Sequence, residues 1–248
     1  MKLKKYIKHL VFIVLTGVLL FLYEFTSERN LHKKITDIVV EFEAGDNHFL
    51  NHQMVQKLLI QNKQTVKNKE KSIVNLYSLE NVVLTNPYIE KASVFLTIDG
   101  RLKSIIKQRE PIVRVFTKSK AYYVDKFGVK IPLSTHFSAR VPLVTGVKNK
   151  EDVKAVLSLM KYILADSFLQ KEIVGIHKYQ NEEYQFTVRS GNYRIEFGKL
   201  ENENIKFKKL KAFYTKTFVD KTIQNYKTIT LKYHNQVVCT KINQNGKQ

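Results

Sequence analysis

Seven histidines, a single cysteine and an adjacent pair of glutamates are the residues of this chain with the most direct chemical uses. The histidines are His9, His32, His48, His52, His136, His177 and His234. His48 and His52 stand four apart, but Asn51 starts a helix between them and no third ligand is near. A zinc site wants three or four ligands in a defined shell, so metal binding is not expected. Glu182-Glu183 falls in a turn, where two solvated carboxylates are a simpler reading than an acid/base pair. There is no His-Glu-x-x-His, no Gly-x-Ser-x-Gly and no Gly-rich phosphate loop. Cys239 lies between apolar neighbours on a strand, which keeps a thiol inert. A cysteine transpeptidase needs a thiolate, a His and an Arg together, and the last arginine is Arg194. No cofactor is implied.

The elements that carry these residues begin with an apolar segment. Lys2, Lys4, Lys5 and Lys8 precede a run from Leu10 to Tyr23 that contains no charge. Residues 10–25, with their flanks, read as a membrane-spanning helix, since about 20 apolar residues cross a hydrocarbon core and terminal lysines can snorkel. A cleaved signal peptide is the competing reading. It wants small residues in an Ala-x-Ala-like pattern, and no Ala occurs before Ala44. The N-terminal lysines place residues 1–9 on the cytoplasmic side and the bulk of the chain outside it. The formal charge is +20, and residues 31–248 hold +17 of it. A basic region outside the cytoplasm does not meet nucleic acid. Anionic lipids or cell-wall polymers are its candidate ligands, beside the plainer reading of general surface composition. One cysteine excludes an intramolecular disulfide framework.

Beyond the anchor, the fold class expected is α+β. Ile35–Phe42 is β-branched and reads as a strand. Asn51 caps a helix with Met54, Val55, Leu58 and Leu59 on one face. Residues Gln61–Ser72 look like a solvated basic loop. Leu76, Leu79, Val82 and Val83 form a second helical stripe that ends near Asn86-Pro87. Tyr88–Ile98 follows as a strand with Ala92, Val94, Leu96 and Ile98 on one face. Asp99-Gly100 is a two-residue hairpin signal, and Leu102–Gln108 returns. The order is β-α-α-β-β, closed by Pro111. The remainder is a mainly antiparallel β-domain with two helices. Its strands are Ile112–Thr117, Ala121–Val124, Val129–Leu133, Val141–Gly146, Ile173–Tyr179, Tyr184–Arg189, Tyr193–Phe197, Ile229–Tyr233 and Val237–Ile242. Its helices are one through Val153–Leu164 and a basic one over Glu203–Phe218. Asp125–Gly128 is a hairpin loop with Gly where φ is positive. His234-Asn235-Gln236 turns the terminal hairpin.

Four local motifs in order resemble the FtsQ/DivIB family of bacterial divisome proteins. They are Asn86-Pro87-Tyr88-Ile89-Glu90-Lys91-Ala92-Ser93-Val94, Gln108-Arg109-Glu110-Pro111-Ile112-Val113, Tyr123–Val129 and Ile229–Gln236. The resemblance covers about residues 1–242. It departs from the family pattern at Thr230, where an acid is usual, and at Lys232, where an Arg is usual. It implies a cytoplasmic tail at 1–9, a transmembrane helix at 10–25, a POTRA domain at 35–110, a β-domain at 111–242 and a flexible tail at 243–248. It also implies a non-enzymatic scaffold of the divisome, required for septum formation, in the cytoplasmic (inner) membrane at the septum. Its partners would be coiled-coil proteins of the FtsB/FtsL type. The alternatives are a POTRA-bearing protein of outer-membrane assembly or secretion, which needs a barrel, and an anchored cell-wall enzyme using Cys239.

Two sets of site residues follow. Arg109 and Glu110, with Pro111, are candidates to pair at the domain junction and hold its angle. Lys232, Tyr233, Val237, Val238, Cys239 and Thr240 are the candidate partner contacts, because a last strand at a sheet edge offers unpaired backbone groups. Lys206, Lys208, Lys209 and Lys211 on the basic helix would draw in an acidic partner segment. One expectation is checked directly at the other end of the chain. Edman sequencing of membrane-extracted protein should begin at or near Met1, and a start near Ser27 or Asn30 would show the anchor to be a cleaved signal.

Overall fold

The computed structural model describes residues 2–45, 47–60, 67–234 and 236–242. Expectations that fall on residues 61–66, on Asp46, on Asn235 and on the 243–248 tail lie outside the described residues. The chain divides between Gln108 and Arg109 into two units. Helix α1 (Lys2–Leu31) opens the first unit and runs past the apolar segment in both directions. Its stretch His9–Asn30 is long and apolar enough to cross a membrane, and none of it is buried against protein.

The rest of the first unit is the β-α-α-β-β arrangement. Strand β1 (Asp37–Phe42) is followed by α2 (His52–Ile60), α3 (Leu76–Leu84), β2 (Ile89–Leu96) and β3 (Arg101–Gln108). The sheet order is β1-β3-β2, so the last strand lies in the middle, parallel to β1 and antiparallel to β2. Both helices start where a side-chain amide can cap them. Asn51 Oδ1 accepts from Met54 N at 2.9 Å and Asn75 Oδ1 from Ser78 N at 2.9 Å. Their buried residues, Val55, Leu59, Leu79 and Val83, belong to the buried core together with the strand residues Ile38, Val40, Leu102 and Ile106. Gln108 ends the unit with its amide buried. It accepts from Phe49 N (3.0 Å) and Leu50 N (3.1 Å) and donates to Leu50 O (2.8 Å), so one side chain does the work of a short strand pair.

Three expectations are corrected here. Ile98 does not share the inward face of β2; it sits at the hairpin tip, 87% exposed. That tip is a three-residue connection, with Thr97 N bonded to Arg101 O and Gly100 N to Thr97 O. Gly100 at φ +97 fits the bulged three-residue hairpin, not the two-residue one. Finally, residues 67–72 are not a solvated loop. Ile35 N bonds Lys69 O at 2.9 Å, Asn68 N bonds Ile35 O at 2.9 Å and Lys71 N bonds Lys33 O at 3.1 Å. Backbone pairing needs no apolar side chain, so a polar sequence conceals it.

The second unit is built on a nine-stranded mixed sheet. Its strands are β4 (Pro111–Phe116), β5 (Ala121–Asp125), β6 (Lys130–Ile131), β7 (Leu143–Thr145), β8 (Ile173–Lys178), β9 (Tyr184–Val188), β10 (Arg194–Gly198), β11 (Tyr226–Thr230) and β12 (Val238–Lys241). Their spatial order is β12-β11-β10-β9-β8-β7-β4-β5-β6. Three helices accompany them: α4 (Lys150–Leu164), α5 (Ser167–Glu172) and α6 (Glu203–Val219). Helix α5 is one more than expected. At six residues it is too short to show a period, although Asp166 caps it by accepting from Phe168 N and Leu169 N at 3.0 and 3.1 Å. Strand β11 begins three residues before the expected Ile229, directly after a turn of 3₁₀ helix at Ile223–Asn225, and ends before Tyr233.

One face of the sheet is covered. The paired residues Val115, Val144, Ile176, Phe186, Ile195, Ile229 and Cys239 form a continuous row across seven strands. Val156, Leu159, Met160 and Ile163 of α4 and Phe207, Leu210 and Tyr214 of α6 belong to the same apolar cluster. The adjacent row, Arg114, Leu143, Gly175, Thr187, Arg194, Thr228 and Thr240, faces the other way.

Helix α4 starts with a reciprocal cap: Asn149 Oδ1 accepts from Asp152 N, and Asp152 Oδ2 accepts from Asn149 N. Asp152 also meets the buried Lys178 ammonium at 3.1 Å, and Lys178 meets Glu182 at 2.6 Å. Burial works against the Asp152 charge, but the Lys148 backbone N–H and the Lys178 ammonium outweigh it and hold the carboxyl below 3.8. A depressed carboxyl stabilises the fold above its unfolded value and loses that contribution as pH falls through the folded one. Urea midpoints measured along a pH series should therefore hold steady down to about the ordinary value of 3.8 and fall below it, and Asp152→Asn should flatten part of that acid limb.

Candidate functional site: the outer edge of the β-sheet

The terminal hairpin forms as expected, with β12 antiparallel to β11 and at the edge of the sheet. Register decides what this edge offers. Leu231 N donates to Glu196 O of β10 at 2.9 Å, so the main-chain groups of Ile229 and Leu231 point toward β10. Those of Thr228 and Thr230 therefore point toward β12, where their partners are Thr240 and Val238. It follows that the N–H and C=O of Cys239 point away from the sheet, into the open edge.

The six candidate contacts separate by face. Val238 and Thr240 lie on the uncovered face, and Val238 is 40% exposed. Tyr233 is half exposed in the bend after β11. Val237 and Cys239 pack against the core cluster as its partly buried margin. Burial pushes the Cys239 thiol up, away from the reactive thiolate. These two residues present backbone, not side chain, to anything that docks at the edge.

Lys232 is ion-paired within the fold. Its ammonium is held by Glu183 Oε2 at 2.7 Å and lies 3.8 Å from Glu196 Oε2. The Glu183 hydrogen bond raises the lysine pKa, and the same bond is the main cause holding the Glu183 carboxyl low. Gly198 makes room for this stem, because a Cβ there would stand 2.9 Å from Lys232 Cγ. Glu182 and Glu183, read from sequence as a solvated pair, are thus both ion-pair partners, Glu182 of Lys178 and Glu183 of Lys232.

Three lysines of the basic helix also have partners within the fold. Lys206 is buried, donates to Lys199 O at 2.7 Å and lies over the Phe197 ring at 4.9 Å. Lys211 pairs with Asp166. Lys209 donates to the carbonyls of Leu231 (3.3 Å), Tyr233 (2.5 Å) and His234 (3.2 Å). Burial lowers its pKa. Of the four lysines expected to attract a partner, only Lys208 is exposed without such a role. Lys209 is the residue that sequence reasoning misplaced: it latches the segment leading into β12. Its basic neighbours gave no signal that it would turn toward carbonyls instead of solvent.

At the junction, Arg109 does not pair with Glu110. Arg109 NH1 meets Asp125 Oδ2 at 2.8 Å, with the Asp125 side chain almost wholly buried. Asp125 Oδ1 accepts from Phe127 N at 2.9 Å and Val129 N at 2.8 Å, closing the hairpin in which Gly128 has φ +83. Glu110 is exposed. The pair of histidines at 48 and 52 is also accounted for in part, with the His52 ring edge-on to Phe42 at 4.9 Å. Among the described residues no group of three His, Cys, Asp or Glu is arranged to hold a metal.

Comparison with known families gives two matches. Residues 110–240 match a model described as FtsQ/DivIB, C-terminal related, and residues 34–107 match a POTRA-like domain. No curated protein matches by sequence. Among solved structures, this chain is similar to the major extracytoplasmic domain of the trans isomer of the bacterial cell division protein DivIB from Geobacillus stearothermophilus. The two share 11% identity with a TM-score of 0.30, over 47% of this chain and 98% of that one. A score of that size does not support a comparison of geometries. The apolar N-terminal helix fits a single-pass membrane protein. With the POTRA-like match before it and the larger model spanning more than half of its length, the chain belongs to the FtsQ/DivIB family of bacterial cell division proteins.

Proposed function

We propose that this protein is a non-enzymatic bitopic scaffold of the divisome, required for septum formation. Its N-terminus lies in the cytoplasm, its bulk lies outside at the septum, and it captures coiled-coil partners of the FtsB/FtsL type by strand addition at β12. The observation that carries this reading is the outward main chain of Cys239 on an edge strand that no other described strand pairs. Such an edge is completed by another extended chain, with backbone bonds supplying affinity and alternate side chains supplying selectivity. Val238 and Thr240 on the outer face and the half-exposed Tyr233 would then meet the partner's side chains. The thiol faces inward and is held protonated by burial, which favours a binding strand over a nucleophile. The Arg109–Asp125 pair, just before Pro111, stiffens the start of the β-unit.

Because the edge would be read through its backbone, two proline variants separate its roles. Cys239→Pro removes an outward N–H and leaves the β11 ladder intact. It should lower recovery of the coiled-coil partners in a pull-down roughly tenfold, the equivalent of about 1.4 kcal/mol. Cys239→Ser, which keeps the backbone, should bind as wild type. Val238→Pro removes a ladder bond to β11 and should also release the hairpin. Wild-type recovery by Cys239→Pro would put the partner site elsewhere. In cells, depletion should give filaments without septa, and normal division would sink the scaffold reading.

The latch makes a separate prediction. Lys209→Met keeps the stem but leaves three carbonyls without their shared donor. Hydrogen exchange should quicken at β12 while the central strands stay protected, since edge elements open by local unfolding. Unchanged exchange at Val238 and Thr240, whose amides face β11, would show that the latch does not hold the edge.

A further inference from the structure

We propose that the rim of the first unit around the β2–β3 hairpin tip is a second membrane contact, seated in the headgroup region beside the exit of α1. The inference rests on the reading of α1 as an uncleaved anchor. No linker separates that helix from the folded unit: α1 ends at Leu31, and Ile35 is already fully buried. The Lys71 ammonium spans the gap, donating to Asn30 Oδ1 in the last turn of α1 at 3.1 Å and to the hairpin carbonyls of Thr97 at 2.8 Å and Ile98 at 3.2 Å. Lys33 donates to the same Ile98 carbonyl at 3.1 Å. His32 Nδ1 meets Glu70 at 3.1 Å. The hairpin tip is therefore tied to the point where the chain leaves the bilayer.

The side chains at this rim suit that position. Ile98, Tyr77 and Ile73 are 87%, 74% and 65% exposed, more than any other large apolar residue described between residues 32 and 108. Ile73 ends the 3₁₀ turn that follows the Lys71 tie, and Tyr77 follows in the first turn of α3. Ile98 stands at the hairpin tip whose carbonyls Lys71 holds, Ile73 ends the turn that Lys71 begins and Tyr77 lies in the first turn of α3, so this end supplies apolar side chains, with exposed Lys34 and Arg29 at the exit of α1 as its cations. That is the pattern of a group lying at the boundary of headgroup and acyl chain, where Tyr is favoured and lysines meet anionic lipid. The continuity with α1 selects a bilayer as the occupant.

The chain contains no tryptophan, so single-Trp variants report depth without background. The full-length protein is reconstituted in phosphatidylethanolamine and phosphatidylglycerol vesicles containing lipids brominated at shallow or deep acyl positions. Leu15→Trp, within α1, tests the anchor. Leu84→Trp, at the far end of α3 and roughly 23 Å along β2 from the hairpin tip, is the water-exposed reference. Ile98→Trp and Tyr77→Trp should show blue-shifted emission and quenching by shallow brominated lipid. Emission and acrylamide quenching equal to those of Leu84→Trp, with Leu15→Trp deeply quenched, would overturn the rim contact and leave the anchor standing. Shielding of Ile98→Trp from both lipid and aqueous quenchers would assign the rim to a second copy of the chain and would also overturn it. An unquenched Leu15→Trp would refute the anchor and the rim contact together.

Discussion

Helix packing on one face of the nine-stranded sheet is the constraint on which the second unit depends. A strand has a side-chain period of two, so a sheet with one buried face leaves no freedom in register. The row from Val115 through Phe186 to Ile229 must face α4 and α6, and Cys239 is its last member. Moving β12 by one residue would carry Val238 into the core margin and the thiol into solvent. The orientation of the edge backbone is therefore a consequence of packing many strands away.

The basic character of the chain has a structural meaning that net charge conceals. Lysines are used as donors to carbonyl groups that have left regular structure. Lys209 gathers three of them at the approach to β12, Lys206 takes one beside an aromatic face, and Lys71 and Lys33 share those of the hairpin tip. Each ammonium replaces ordered backbone partners where a turn cannot supply them. A neutral carbonyl does not cancel the ammonium charge; it fixes where that charge sits.

The motif at the boundary of the two units shows how a local sequence pattern can serve two folds in succession. Gln108 uses its amide to fasten Phe49 and Leu50 within the first unit. The next residue, Arg109, uses its guanidinium on the buried Asp125 carboxylate within the second. Removing one member of a buried ion pair costs about 3–5 kcal/mol, because the survivor is left desolvated. Adjacent residues thus belong to different cores, and the peptide bond between them is where one unit ends and the next begins.

By itself, the sequence determined the α+β class, the apolar N-terminal helix, the β-α-α-β-β order and the terminal hairpin. Each of these rests on short-range signals: apolar period, capping Asn, and Gly or Pro at turns. Helix α5 escaped because six residues are too few to carry a period, and the start of β11 moved because a 3₁₀ turn, not an apolar residue, sets it. The assignments of side chains to solvent were decided only in the tertiary structure. Lys232, Lys209 and Lys206 read as free surface charges, yet Glu183 holds the first, the Tyr233 carbonyl the second and the Lys199 carbonyl the third. Residues 67–72 read as a loop, yet their backbone pairs with residues 33–35. Ile98 read as core, yet a positive φ at Gly100 turns it out of the strand. The physical reason is common to all of them. Apolar periodicity reports which face of an element is buried, whereas the partner of a polar or backbone group is chosen by whichever unpaired group the fold brings within about 3 Å.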